Sequence, residues 1–215
     1  MSNAQAQIEL ANWQQGFQRR AQRTGLRVFM VVVSALFFLF TVAVITRSQY
    51  SDWQSLAEQP WQPLFDPWQL WLNTSTLIGS SLALQWARIT SVNGQYRHAS
   101  IAFWLAGGCA LAFLFGQVWV WSTLVSLGYV VGANPANSFF YVLTALHGLH
   151  LLGGLMVWSK IALKLGQKKP LPQLSFSIEQ CSVYWHFLLV LWLLLFMLLT
   201  SSGETFNAIA NFCGF

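Results

Sequence analysis

The segment QCSVYWHFLLVLWLLLFMLLTSSG, residues 180–203, decides the class of fold, because it contains no Lys, Arg, Asp or Glu. A bilayer core is about 30 Å thick, and a helix needs about 20 mostly apolar residues to cross it. Further charge-free stretches occupy residues 28–46, 67–87 and 98–159. The last is long enough for two helices, and it breaks between Gly128 and Asn137, where Asn134 and Pro135 favour a turn. The sequence therefore predicts an all-α, polytopic membrane helix bundle with five transmembrane helices, at about 27–46, 67–88, 99–125, 137–160 and 180–202.

The composition supports a membrane protein over a soluble one. Hydrophobic residues make up 55% of the 215 residues and charged residues 8%, whereas soluble domains carry about 25% charged residues. No period of two persists over ten residues, which argues against a membrane barrel. The net charge of +5 is spread among apolar runs. It forms no contiguous basic surface, so we expect no nucleic-acid partner.

The cations predict the orientation of the bundle. With five helices, ten of the eleven Lys and Arg residues fall on one side and Arg47 on the other. The ten are Arg19, Arg20, Arg23, Arg27, Arg88, Arg97, Lys160, Lys164, Lys168 and Lys169. Cytoplasmic loops are enriched in Lys and Arg, so the N-terminus is expected in the cytoplasm and the C-terminus in the periplasm. The acidic residues Asp52, Glu58, Asp66 and Glu204 lie on the periplasmic side in this arrangement.

Residues 1–26 are interpreted as a cytoplasmic amphipathic segment, 27–202 as the transmembrane domain and 203–215 as a periplasmic tail. The first segment is too long and polar for the start of a cleaved signal peptide, so we expect it to remain in the mature chain. Its apolar residues recur every three or four positions, at Leu10, Trp13, Phe17 and Ala21. Such a stripe, flanked by arginines, suits the anionic inner leaflet. Docking onto a partner subunit is the competing interpretation.

Polar residues inside the predicted helices are the candidate site, since they are costly in hydrocarbon and usually face the bundle interior or a partner. At 1.5 Å of rise per residue, Asn73, Gln117 and His147 reach similar depths in the outer half. In the inner half, Glu179 opens the last helix, favourably for its dipole, and His186 lies about 10 Å deeper. His150 is placed to approach this second group.

Metal or haem binding is the competing role for these histidines. His147 and His150 share a helix face at a spacing that two ligands of one metal can use. A haem ligand is conceivable for an isolated membrane histidine. Interhelical hydrogen bonding is favoured, since no Cys or carboxylate accompanies the pair in sequence. The three cysteines, Cys109, Cys181 and Cys213, are an odd number with no CxxC spacing, so we expect neither disulfide nor metal.

Four motifs together resemble one known family. Residues 137–150, NSFFYVLTALHGLH, are similar to the helix of the haem–copper oxidase subunit III family that reads S-x-F-F-x-x-T-G-x-H-G-x-H. Glu179 through Phe187 resembles that family's E-x-x-x-x-Y-W-H-F, and residues 72–87 its L-N-T…S…W-A helix. Gln117 stands where the family has the Q of a weaker Q-x-x-E-Y motif. The motifs occur in the family's order over about 67–200, as in its shorter, five-helix bacterial members.

The resemblance implies an accessory subunit of a cytochrome c oxidase in aerobic electron transport, located in the bacterial inner membrane. Its partners would be oxidase subunits I and II and membrane phospholipids. No cofactor and no self-contained active site are expected in this chain, since haem and copper belong to the partner catalytic subunits. The signature positions carried over, as structural hydrogen-bonding, lipid or subunit contacts, are Asn73, Gln117, His147, His150, Glu179, Tyr184, Trp185 and His186.

The chain departs from the family at three acidic positions. Ala35 stands where the first common helix commonly has Glu, Val120 replaces the acid of Q-x-x-E-Y, and Leu188 replaces an acid after Y-W-H-F. These replacements argue against a proton-related role. They also leave open the subunit III-like proteins associated with nitric oxide reductases. Two hypotheses from different functional classes are a small membrane transporter and a haem-binding membrane anchor.

Overall fold

The computed structural model describes residues 3–54, 56, 68–168 and 170–213. Its helices are α1 (Asn3–Arg47), α2 (Trp68–Val92), α3 (Tyr96–Ser126), α4 (Pro135–Gly166), α5 (Leu171–Leu199) and α6 (Gly203–Cys213). No strand occurs in the described part of the chain, so the all-α prediction is confirmed. Four residues used in the sequence arguments lie outside the described residues, namely Glu58, Asp66, Pro67 and Lys169.

The chain divides into two compact units, one up to Leu36 and one from Phe37 onward. In the first unit the described residues are helical, because α1 begins at Asn3 and includes the stretch interpreted as a separate amphipathic segment. The stripe residues Leu10, Trp13 and Phe17 are exposed. The rings of Trp13 and Phe17 stack with centroids 5.8 Å apart, as residues four apart on one helix face can.

Four helices among the described residues are long and apolar enough to cross a membrane: Gly16–Arg47, Tyr96–Ser126, Pro135–Gly166 and Leu174–Leu199. They correspond to the first, third, fourth and fifth predicted spans. α2, the second predicted span, is 25 residues long but rich in hydroxyl and amide side chains. The membrane helix bundle is therefore confirmed, and the count of five spans stays a prediction.

In the second unit, α2 contacts α3 and α5, and α4 contacts the same two helices. The four helices enclose a core whose largest fully buried side chains are aromatic: Trp185, Trp192, Phe103, Phe113 and Phe140. In lipid there is no hydrophobic drive between helices, so close packing and interhelical hydrogen bonds hold such a core together. Both kinds of contact involve α2, the most polar of these four helices.

In each diglycine pair, one glycine packs closely against an aromatic ring of a neighbouring helix. A Cβ on Gly107 would lie 2.1 Å from the Trp158 ring, and one on Gly154 would lie 3.0 Å from the Trp185 ring. Their neighbours Gly108 and Gly153 have nothing within 4 Å of such a Cβ. Small residues let transmembrane helices approach each other closely. Close contacts between helices are therefore present at Gly107 and Gly154, one member of each pair.

The turn between α3 and α4 lies where the sequence places it. α3 ends at Ser126, and Gly128 takes a φ of 89°, which a residue without Cβ adopts at no steric cost. Asn134 caps α4 by accepting a hydrogen bond from the Ala136 amide, with Pro135 at the first helical position. This is a standard helix start. α4 therefore begins two residues before the predicted start at Asn137.

Two features of the C-terminal third differ from the sequence interpretation. α5 begins at Leu171, so Glu179 lies more than two turns inside the helix and not at its start. The prediction that the helix dipole stabilises the Glu179 carboxylate is therefore wrong. The charge-free stretch starts only after Glu179, which displaced the predicted boundary. The tail after Gly203 forms α6, whose first turn carries Glu204.

Candidate functional site: polar contacts in the helix core

The outer pair of signature residues, Asn73 and Gln117, forms a direct hydrogen bond between α2 and α3. Asn73 Nδ2 donates to Gln117 Oε1 over 3.1 Å, and each side chain is 3% exposed. Gly116 makes room for the bond, since a Cβ there would lie 2.4 Å from Asn73 Oδ1. The structure therefore brings together two of the three residues predicted as an outer cluster.

His147, the third predicted member, lies between aromatic rings. Its ring centroid is 5.8 Å from that of Phe113 and 5.1 Å from that of Trp192. The residue is 0% exposed, and neither ring nitrogen has a hydrogen-bond partner among the described residues. The predicted interhelical hydrogen bond of His147 is therefore not formed within the described part of the chain.

Two buried tryptophans of α5 are tied to hydroxyl groups of α2. Trp185 Nε1 donates to Ser80 Oγ over 2.8 Å, and Ser80 Oγ donates to the Ala106 carbonyl of α3 over 2.6 Å. Trp192 Nε1 donates to Thr74 Oγ1 over 2.9 Å. A buried indole N–H normally finds such a partner. These bonds join three helices at two depths.

A polar cluster surrounds His186, where α2 meets α5. Ser81 Oγ lies 2.5 Å from His186 Nδ1, and Gln85 Oε1 lies 3.2 Å from Nε2. Since an amide oxygen only accepts, Nε2 carries the proton in a neutral ring and Nδ1 accepts from the Ser81 hydroxyl. Ser182 Oγ donates to Gln85 Oε1 over 3.3 Å. Both nitrogens of His186 are thus satisfied by protein groups.

Glu179 pairs with Arg88 beyond this cluster, with 3.4 Å between Oε1 and the guanidinium nitrogen. The side chains are 32% and 37% exposed, so the pair contributes at most about 1 kcal/mol. The prediction that Glu179 and His186 belong to one inner region agrees with this arrangement. The sequence analysis used Arg88 only to predict the orientation of the bundle. Its pairing with Glu179 depends on the packing of α2 against α5.

His150 meets α5 through its backbone. Its carbonyl accepts a hydrogen bond from the Tyr184 hydroxyl over 3.1 Å, while its Nδ1 lies 2.8 Å from the Leu146 carbonyl on the same helix. The ring stands edge-on to Phe37 with centroids 5.7 Å apart. Tyr184 and Trp185 also flank Gly154. His150 therefore contributes to the α4–α5 contact at a different place from His147.

Comparison with known proteins identifies the family of this chain. The family model described as cytochrome c oxidase subunit III matches residues 8–203. This chain belongs to the cytochrome c oxidase subunit III family. The resemblance inferred from four short motifs is thereby confirmed. The match also extends into the N-terminal part of α1.

Curated relatives of this subunit III-family protein have the same description. It is 30% identical over 179 residues to cytochrome c oxidase subunit 3 of Thermostichus vulcanus, covering 81% of this chain and 84% of the relative. It is also 30% identical over 176 residues to cytochrome c oxidase subunit 3 of Synechocystis sp., covering 81% and 72%. A probable cytochrome c oxidase subunit 3 of Mycobacterium bovis is 31% identical over 126 residues, covering 57% and 61%.

The site in this subunit III-family chain consists of hydrogen-bonding and packing groups. Within the described ranges, no three His, Cys, Asp or Glu side chains group as a metal site. Two positions where the family commonly has acids are packed as apolar core, since Val120 is 3% exposed and Leu188 is 0% exposed. The arrangement can hold helices in register and present apolar surface.

Four further polar residues of α2 belong to this site but were not predicted from the sequence: Thr74, Ser80, Ser81 and Gln85. Three of the four are almost fully buried, and Gln85 is half-buried. The spacing of these residues could have identified them, because Asn73 and Ser80, each with its neighbour Thr74 or Ser81, lie about two helical turns apart on one face. A polar stripe of this period, in a helix otherwise suited to lipid, indicates the face that meets other helices.

Replacing His186 tests the polar cluster. His186→Leu leaves Ser81 without its imidazole acceptor and Gln85 with one donor fewer, so we expect a loss of about 1–3 kcal/mol in the free energy of unfolding. The measurement is the thermal midpoint of the purified chain, followed by tryptophan fluorescence. His98→Leu is the matched control, because His98 is exposed and surface changes usually stay within about 0.5 kcal/mol. Equal shifts in the two variants would contradict the assignment.

Proposed function

We propose that this chain is the accessory subunit III of a respiratory haem–copper oxidase. The observation that carries the proposal is the family match over residues 8–203. In this role the chain holds no redox centre, and it packs beside the catalytic subunit I and subunit II, which hold the haem and copper. The activity belongs to the complex, and this chain stabilises it and supports its turnover.

The distribution of side chains supports a packing role. The signature residues Asn73, Gln117, His147 and Trp185 are buried in the second unit, whereas large apolar side chains cover the outside of its helices. Exposed examples are Leu82, Phe115, Leu149, Met156 and Met197. An apolar exterior of this kind suits acyl chains or the membrane-embedded face of another subunit.

Five spans with the N-terminus in the cytoplasm and the C-terminus in the periplasm form the proposed topology. Support comes from the helix ends of the second unit. Arg88 lies near the end of α2 and pairs with Glu179 in the first half of α5, while Lys164 lies in the last turn of α4. Cations therefore gather at one end of the bundle, which the positive-inside tendency assigns to the cytoplasm of a bacterial inner membrane.

The single cation at the other end, Arg47, is paired. Its guanidinium donates to Asp52 Oδ1 over 2.7 Å and makes a second, shorter contact with Oδ2. This hydrogen bonding holds the pKa of the Asp52 carboxyl below its usual range. The periplasmic end of α1 therefore carries its positive charge beside a carboxylate, which supports the proposed orientation.

Membrane phospholipids are the second proposed class of partner. The exposed stripe of Leu10, Trp13 and Phe17 precedes Arg19 and Arg20 along α1. Apolar and aromatic groups beside arginines suit an anionic leaflet. We assign this part of the chain to the cytoplasmic membrane surface, where it anchors the subunit.

Purification from native membranes tests the function. In mild detergent we expect the chain to co-migrate with subunits that contain haem and copper, and we expect the stripped chain to lack haem absorbance. His186→Leu should reduce the amount of chain that co-purifies while leaving the partner's haem spectrum unchanged, because the histidine acts through helix packing. A chain that migrates alone, or that carries haem after stripping, would contradict the proposal. Migration with a nitric oxide reductase would assign it to that branch of the family.

A further inference from the structure

His147 stands out among the described polar side chains. It is 0% exposed, it belongs to no hydrogen bond with a described residue, and it is enclosed by Phe113 and Trp192. A neutral imidazole has one N–H donor and one lone-pair acceptor. Leaving both without partners in an apolar interior is strongly unfavourable. The lone-pair nitrogen of this buried ring therefore needs a donor that the described side chains around it do not provide.

Gln117 has a complementary need. Its Oε1 accepts from Asn73, but its Nε2 is buried and has no hydrogen-bond partner among the described residues. The amide nitrogen carries two N–H donors, whereas an imidazole nitrogen without a proton is an acceptor. The two orphaned groups are thus chemically matched.

The register of α3 and α4 places these groups at neighbouring levels of the core. Gln117 follows Phe113 by four residues, so it lies on the same face of α3 about 6 Å further along the helix. His147 packs against the Phe113 ring from α4. Four residues beyond Gln117, Trp121 Nε1 of α3 donates to Thr144 Oγ1 of α4 over 3.1 Å. Gln117 therefore lies between two observed α3–α4 contacts, about one helical turn from the level at which His147 packs against Phe113.

We propose that Gln117 and His147 bind one buried water molecule. The water accepts from Gln117 Nε2 and donates to the unprotonated nitrogen of His147, which completes a polar chain from Asn73 on α2 through α3 to α4. Buried waters typically make about three hydrogen bonds to polar groups that are otherwise unsatisfied. The ligand class is water and not a metal ion, because no group of three metal-ligating side chains occurs in the described part of the chain.

A double-mutant cycle tests the bridge in the full chain, purified with whatever subunits accompany it. We expect Gln117→Leu and His147→Leu each to lower the thermal midpoint by about 2–6 °C. The double variant should lose clearly less than the sum, because removing both partners removes the need for the water. His147→Leu combined with Ser80→Ala is the control. Ser80 bonds Trp185 and Ala106 and shares no partner with His147, so these two shifts should add.

An electron cryo-microscopy map at a resolution that shows ordered waters gives the second readout. Density for one water between the Gln117 amide and the His147 ring is the expected result. Additive midpoints without such density would overturn the proposal. A stabilising His147→Leu would also overturn it, because that result indicates a dry, unpaired histidine. Coupling without water density would overturn the bridge in favour of a direct Gln117–His147 bond.

Discussion

Gly107→Ala is expected to lower the free energy of unfolding by about 2–3 kcal/mol, as inserting a methyl group into a well-packed core does. The added Cβ would lie 2.1 Å from one Trp158 ring carbon and 2.3 Å from another. Trp158 has little freedom to move, because its ring stacks on Phe103 at 5.6 Å and its Nε1 donates to the Phe103 carbonyl. The thermal midpoint should fall by about 4–12 °C.

The neighbouring glycine is the control for this prediction. Gly108 is one residue away on the same helix, and nothing lies within 4 Å of the position that an alanine methyl group would occupy there. Alanine is the better helix former by up to about 1 kcal/mol, so Gly108→Ala should leave the midpoint unchanged or slightly raised. If both alanine variants unfold at the same temperature, the close α3–α4 approach at Gly107 is incorrect.

Trp185→Ala is expected to cost about 3–5 kcal/mol, the usual range for a fully buried aromatic side chain. The ring is 0% exposed, contacts the Gly154 position of α4, and donates to Ser80 of α2. One truncation therefore removes contacts between α5 and two other helices. Unfolding of the purified chain, followed by circular dichroism, is the measurement.

Trp185→Phe separates packing from hydrogen bonding at this position. It keeps an aromatic ring and removes the indole N–H, so most of its expected loss of about 1–2 kcal/mol comes from the Ser80 bond. Trp119→Ala is the exposed counterpart, since Trp119 is 50% exposed on α3. A loss from Trp119→Ala as large as that from Trp185→Ala would place the core elsewhere.

Local cues in the sequence located the apolar helices, but α1 and α5 both begin earlier than the charge-free runs predict. The charge-free runs and the turn-forming residues Asn134 and Pro135 predicted the break between α3 and α4 correctly, because both act through nearby backbone. The start of α5 at Leu171 was missed by the charge criterion. Residues of mixed polarity precede the apolar run, and helix packing decides whether such residues join the helix.

The candidate site was predictable in depth but not in direction. Rise per residue placed Asn73 and Gln117 at one level, and their side chains do bond. The same arithmetic placed His147 with them, yet its ring faces Phe113 and Trp192. Depth follows from residue number along one helix, whereas the direction of a side chain depends on how neighbouring helices are rotated.

Determined by the sequence alone are the membrane class, the positions of the long apolar helices, the distribution of cations and the family, because each depends on composition or on residues close together in the chain. Determined only by the tertiary structure are the choice of Gly107 over Gly108, the partners of His186 and the isolation of His147. These depend on contacts between residues far apart in sequence, such as Ser81 with His186. Such contacts form only when four helices pack at particular rotations, and no local pattern encodes those rotations.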